Sequence, residues 1–305
     1  MILGDILSYV CGKVGQTDDT FKAKIRTYAK LRRDMLWQLV LWKDTLSIYT
    51  KSVTADTHTL VMGAQVDRIV AAKTASQGLL PVDQTYLFNN DPQIWERSGD
   101  PLFFSQPPAS ALAVAPASAG EKLNLVSNNA ADTGNVSIYG ENAGEEVSET
   151  VTLNGTSSVQ TVNTYTEVLN LSKEATAGTI TVTGATSAAT LLTLLAAQRE
   201  KRHARLRLHE TPGAADTLLV LAKRHAPPMA TDTDTTGMPS LDNAILAYTM
   251  ADALESMRQY GKAKEKNSEG NALLAEAKKS EIYQDARRVT MTPADPLGED
   301  GSEDY

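Results

Sequence analysis

LRRDMLWQLVLWKDTL, residues 31–46, holds two of the chain's three tryptophans and leaves a helix drawn through it almost no polar side. Leu31, Met35, Leu39, Trp42 and Leu46 extend a stripe that starts at Phe21, Ile25 and Tyr28. Its steps of three and four predict one amphipathic helix over roughly seven turns. Thr17 offers the cap, with Asp18 and Asp19 in the first turn, where the helix dipole favours acids. Leu36, Trp37, Val40 and Leu41 lie off this stripe and cover most of the remaining circumference. One core face cannot use both sets, and a helix apolar all round is buried either in a large core or between subunits. The stripe is therefore assigned to the subunit's own core, and Leu36, Trp37, Val40 and Leu41 to a subunit interface. A central helix in one monomeric core is the alternative use of the surplus.

Around this helix the composition changes in zones. Ile6, Val10 and Val14 recur every fourth residue before Gly15, the pattern of a first helix and its stop. Residues 47–127 hold short strand-like runs, VDRIVAAKT and ALAVAPAS. They also hold a loop, LFNNDPQIWERSGDPLFFSQPP, whose Trp95, Phe103 and Phe104 read as anchors. Between Thr150 and Thr190, 12 of 41 residues are threonine, a β-branched bias that favours strands over helix. In VSETVTLNGTSSVQTV, alternating Val147, Val151 and Leu153 lead into Asn154-Gly155, the preferred pair for a two-residue hairpin turn. RHARLRLH alternates as well, and with TLLVLAKRHAPP across the turn ETPGAAD it predicts a second hairpin. Pro239 and Ser240 open an Ala-rich helical stretch with breaks near Gly261 and Gly270.

These readings predict an α+β chain: a helical-bundle base with a small β portion and an inserted all-β sandwich of immunoglobulin-like kind. The expected divisions are a helical base with short strands over 1–127 and the inserted sandwich over 128–186. A β-hairpin and C-terminal helices over 187–292 complete the base, and an acidic disordered tail occupies 293–305.

The chemistry is defined mostly by exclusion. A chain of 305 residues, 42% hydrophobic and 22% charged, has enough apolar material for a sizeable core, and a net charge of −8 argues against coating nucleic acid. Cys11 is the single cysteine, so neither an intrachain disulfide nor a cysteine metal cluster is available. The start carries Asp5 where a secretory signal wants a cation, and Met35 to Trp42 is far short of the ~20 apolar residues of a membrane span. No phosphate-binding glycine loop, nucleophile elbow or acid-base pair is recognisable, so the chain is read as a non-enzyme without cofactor or metal. The histidines at 58, 203, 209 and 225 lack metal-ligand spacing. DTDTTG (232–237) imitates half of a calcium loop, but Asn243 stands where the closing glutamate belongs. The sequons at Asn135, Asn154 and Asn170 have no use without export.

One charge feature opposes the overall sign. REKRHARLR (199–207) carries Arg199, Lys201, Arg202, Arg205 and Arg207, candidates for contact with a protein partner, with acidic neighbours in an oligomer, or with DNA backbone.

Taken in order, GDILSYVCGKVGQTDD, LRRDMLWQLVLWKDTL, VDRIVAAKT and TDTDTTGMPSLDNAILAYTMADALE resemble the head-to-tail adaptor (connector) proteins of tailed bacteriophages. The Thr-rich SETVTLNGTSSVQTVNTYTEVLNLSK is similar to immunoglobulin-like inserts of virion proteins. The resemblance implies a structural protein of the virion neck, made in the host cytoplasm. It further implies a homo-oligomeric ring, typically of twelve copies, between the portal protein and a downstream tail or neck protein. Genomic DNA would pass through without sequence-specific binding, and no membrane is involved. Arg205 and Arg207 are expected to face protein more than DNA. The rival reading is a carbohydrate- or receptor-binding β decoration of a phage tail.

Overall fold

The structure, a computed structural model, describes residues 1–286 except 56–57, 84, 87–88, 90–97 and 118. Trp95 and the expected acidic tail lie outside the described residues. The chain divides into two compact units, one built from residues 1–45 and 226–305 and the other from 46–225. Among the described residues helix accounts for 30% and strand for 35%, and the largest sheet has seven strands and is nearly closed. The expected helical-bundle base with a small β portion is therefore corrected: the chain is β-rich. The physical reason is that strands far apart in sequence complete that sheet, so each one alone reads as a minor run.

The helical unit joins both ends of the chain through α1 (Leu3–Val14), α2 (Asp19–Leu39), α3 (Asp242–Ser256) and α4 (Tyr260–Ala286). Asp18, not Thr17, caps α2, its carboxylate accepting from the Phe21 amide at 2.9 Å. The helix buried nearly all round is α3. Ala244, Ile245, Tyr248, Thr249, Ala251 and Leu254, spread round its circumference, are all buried. Gly270 of α4 lets the two helices approach, since a Cβ there would meet the Tyr248 ring at 2.8 Å. Neither Gly261 nor Gly270 breaks α4. The break falls at Met257–Gln259, where Arg258 takes the left-handed conformation (φ 60°) and the Gln259 amide donates back to the Leu254 carbonyl.

The second unit begins with β1 (Leu46–Val53), β2 (Thr59–Val61), β3 (Val66–Lys73), β4 (Gly78–Pro81), β5 (Ser98–Gly99) and β6 (Phe103–Ser105). A sandwich follows: β7 (Leu123–Ser127), β8 (Asn135–Asn142), β9 (Glu145–Thr152), β10 (Val159–Gln160), β11 (Glu167–Lys173), β12 (Ile180–Gly184) and β13 (Thr190–Leu194). The unit closes with β14 (Arg205–His209), β15 (Thr211–Pro212) and β16 (Asp216–Arg224).

The seven-stranded sheet runs β1-β16-β3-β4-β6-β14-β2. Its core gathers Val53, Ile69, Phe104, Leu206, Leu218 and Val220. β14 pairs with β2 and β6 while β16 pairs with β1 and β3, so the hairpin expected across ETPGAAD does not form. Each strand finds a remote neighbour that buries its apolar side instead. The described residues of ALAVAPAS, 111–117, form no strand; Ala111 and Leu112 plug the sandwich core.

In the sandwich a four-stranded sheet, β10-β7-β12-β13, and a three-stranded sheet, β11-β8-β9, share one core. Leu123, Leu125, Leu192 and Leu194, outside the expected 128–186, belong to that core. The two-residue hairpin turn is Ala143-Gly144, with φ of 51° and 86° and Asn142 opposite Glu145. Asn154-Gly155 instead turns the chain from β9 to β10, which belong to different sheets. A Cβ on Gly155 would stand 2.5 Å from the Ala130 carbonyl oxygen, so glycine is required there by a close crossing.

Candidate functional site

The expected core stripe holds at Phe21 and Ile25 but is overturned in the second half of α2, where the two sets of residues exchange places. Phe21, Ile25, Ala29, Arg33, Leu36 and Trp37 are its buried side. Leu31, Met35 and Leu39 are 56%, 61% and 50% exposed and form a row about 100° round the helix from that side. Leu36 and Trp37 are thus core residues of the helical unit, and Val40 packs partly buried against the same core. Leu41 is also partly covered. The correction has a local cause: the core line continues through Ala29 and Arg33, whose letters do not look like core. Arg33 is buried because its guanidinium donates to the Pro227 carbonyl at 2.8 Å and to the Asp34 carboxylate at 2.6 Å. Trp42 is off the helix altogether. Its indole N–H donates to the Leu36 carbonyl at 2.6 Å, satisfying one of the orphan carbonyls of the last turn and fixing the helix end at Leu39.

The exposed row borders a groove of about 460 Å³ whose walls include Tyr28, Leu31, Met35, Asp252 and Glu255. Arg32 spans it, donating to both Asp252 oxygens at 2.8 and 2.5 Å, and its guanidinium lies 5.4 Å from the Tyr248 ring centre. The groove thus has apolar walls, a fixed ion pair across it and the exposed Glu255 at its rim.

The basic run divides by occupancy. Arg205 is engaged by Glu167 and Arg207 is half-buried, its pKa lowered by burial and then by Arg205. Lys201 donates to the Thr193 carbonyl at 3.2 Å. Arg199 and Arg202 are the two that stand exposed, with Glu200 near Arg202 at 3.8 Å.

The histidines serve separate places. His209 is buried with its Nε2 at 2.7 Å from the Ser105 hydroxyl, and burial with Arg207 nearby lowers its pKa to about 4. His203 is buried against the Met62 carbonyl. His225 lies 3.7 Å from Asp67, and His58 is exposed. DTDTTG holds α1: the Asp232 and Asp234 carbonyls accept from the Gly4 and Leu3 amides, both at 2.8 Å. The Asp232 carboxylate accepts from Arg26 and the Asp234 carboxylate from the Ala230 and Thr231 amides. Cys11 is buried in the helical core, which raises its pKa. Among the described residues no group of three His, Cys, Asp or Glu is placed to hold a metal, and no helix is long and apolar enough to cross a membrane.

Two buried carboxylates escape sequence reading. Burial alone would push the Glu121 pKa up, but donors at Ser187, Ala117 and Thr186 outweigh it and hold it below its usual value. The Ser127 hydroxyl and then the Ala177 amide lower that of Asp132, against burial, and the Gly178 amide donates as well. Both pin loops at the ends of the sandwich, and nothing in GEK or AADT distinguishes them from surface acids. Compared with protein families and with curated proteins, the chain matches no family model and no curated relative.

Proposed function

We propose that the chain is a structural head-to-tail adaptor of a tailed bacteriophage, a ring-forming subunit between portal and downstream tail protein. Genomic DNA passes through the ring's opening. The observation that carries the reading is the exposed row Leu31, Met35 and Leu39 beside its groove. Three large apolar side chains, aligned on one helix face and each at least half exposed, are what a neighbouring copy covers. The order of sequence segments supplies the kind of assembly. Repetition round a ring lets many modest contacts act together, so no single site has to be strong.

The rival reading, a glycan-binding decoration, needs an aromatic platform on the sandwich. Of its two tyrosines, Tyr165 is buried and donates its hydroxyl to Glu149 at 3.0 Å. Only Tyr139 reaches the surface.

Native mass spectrometry of the purified chain tests the proposal. The expected result is a discrete closed oligomer that Leu31→Asp with Met35→Asp reduces to folded monomer. A strict monomer at micromolar concentration, both alone and mixed with its portal, overturns it.

A further inference from the structure

The three-stranded sheet of the sandwich is electrically polar from edge to edge. On one side the chain just before β14 is stitched to β11: the Lys173 amide donates to the Arg199 carbonyl at 2.8 Å, and Ser172 bridges Glu200. Arg205 reaches Glu167 at the other end of β11. Arg199 and Glu200 thus lie along the Lys173 end of β11, while toward Val168 residues 110–111 come between β11 and His203; Arg199 and Arg202 are exposed. On the opposite side lies β9, an edge strand beginning with the exposed Glu145 and Glu146. Measured across the strands, β9 and the chain at Arg199 are three spacings, about 14 Å, apart, with Arg199 at the Lys173 end of the sheet and Glu146 at the Glu167 end.

The acidic edge is a burden to the isolated subunit. Glu167 pairs with Glu141, and Glu141 with Glu146, so three carboxylates stand in register across one face of the sheet. The row beside it, Val168, Gly140 and Val147, is the core-facing one, which leaves the glutamates toward solvent. Like charges directly opposite each other destabilise a sheet, and Arg205 neutralises only the Glu167 end. At the Glu146 end the Tyr139 hydroxyl bonds the carboxylate, a neutral donor that leaves its charge in place.

We propose that the Glu145–Glu146 edge of β9 docks onto Arg199 and Arg202 of the next copy of this chain. This rests on the ring reading and names a contact that would build the ring. Complementary charge on opposite edges of one sheet favours head-to-tail addition and opposes both symmetric alternatives. Two β9 edges repel each other, and so do two basic edges. Heterologous contacts of this kind close into rings or run on as filaments, whereas a two-fold dimer needs a patch that complements itself. The same glutamates guard the outer side of β9 against indiscriminate strand pairing until the right partner arrives.

The test uses two full-length reversal variants, Glu145→Arg with Glu146→Arg and Arg199→Glu with Arg202→Glu. Their assembly is followed by native mass spectrometry and sedimentation. Each variant alone should self-associate at least about tenfold more weakly than wild type, because like edges then meet. An equimolar mixture should regain assembly, since one chain presents two basic edges and the other two acidic ones. Glu146→Arg should not lower thermal stability, because it relieves the opposed Glu141; this separates lost docking from lost folding. Wild-type assembly should weaken as salt shortens the screening length from ~10 Å at about 0.1 M to ~3 Å at about 1 M. If wild type forms rings and both variants do so equally well, the ring stands, this contact is wrong, and the edge belongs to a different protein. If variants weaken but the mixture does not recover, head-to-tail pairing of these edges is wrong. Wild type that stays monomeric under cross-linking and with its portal overturns the ring and this contact together.

Discussion

The helical unit is filled by large apolar side chains, with Trp37 and Trp42 fully buried among them, whereas the sandwich closes its loop ends on the buried carboxylates of Glu121 and Asp132. The two arrangements fail differently. Truncating an indole leaves a hole that neighbours only partly fill, and its cost does not depend on pH. Neutralising a carboxylate leaves backbone amides without their acceptor, and its cost appears only where the group was ionised. In acid the sandwich should therefore lose stability through Glu121 and Asp132. The helical unit should lose it only at its carboxylate-held loop, where backbone amides also hold the Asp234 carboxyl below its usual value, while its indole-filled core is untouched.

The largest expected effect breaks the helical side. Trp37→Ala should cost about 3–5 kcal/mol in unfolding of the helical unit, followed by the fluorescence of Trp42, with amide exchange in the sandwich strands unchanged. A cost under about 1 kcal/mol would return Trp37 to the surface role its sequence position predicted.

Acid sharpens the other side. The Glu121 and Asp132 carboxyls both have lower pKa values in the fold than ordinary carboxyl groups. Their stabilisation is thus complete above the unfolded values and lost as pH falls through the folded ones. Asp132→Asn should destabilise the sandwich at neutral pH and progressively less in acid. Hydrogen exchange at Ala177 and Gly178, whose amides Asp132 accepts, is the local readout. Equal exchange in variant and wild type at neutral pH would remove Asp132 from this role.

The smallest expected effect is a gain. Arg258 occupies a left-handed position after α3 that glycine adopts without steric cost. Arg258→Gly should raise helical-unit stability by about 0.5–1 kcal/mol in denaturant titration. A loss would mean that the Arg258 side chain holds the α3–α4 corner.

The groove and the charged edges differ in how far the sequence exposes them. REKRHARLR reads as five cations, yet Glu167, Thr193 and burial occupy three, and only the fold leaves Arg199 and Arg202 outside. Leu31, Met35 and Leu39 were visible as a row, but their side of the helix was not. Glu146 and Glu167 are 21 positions apart and meet across Glu141 only through strand register.

The sequence by itself determined what local chemistry controls. An acidic helix start follows Thr17, although the cap itself is Asp18; Gly15 ends α1 in a left-handed turn, and threonine-rich alternation makes strands between β9 and β13. Tertiary structure alone decided which side of α2 is inside, because Arg33 becomes a core residue only when the Pro227 carbonyl, 194 positions away, accepts from it. It also decided the pairing of β14 and β16 with remote neighbours, since strands with one apolar side are alike until a particular partner covers that side.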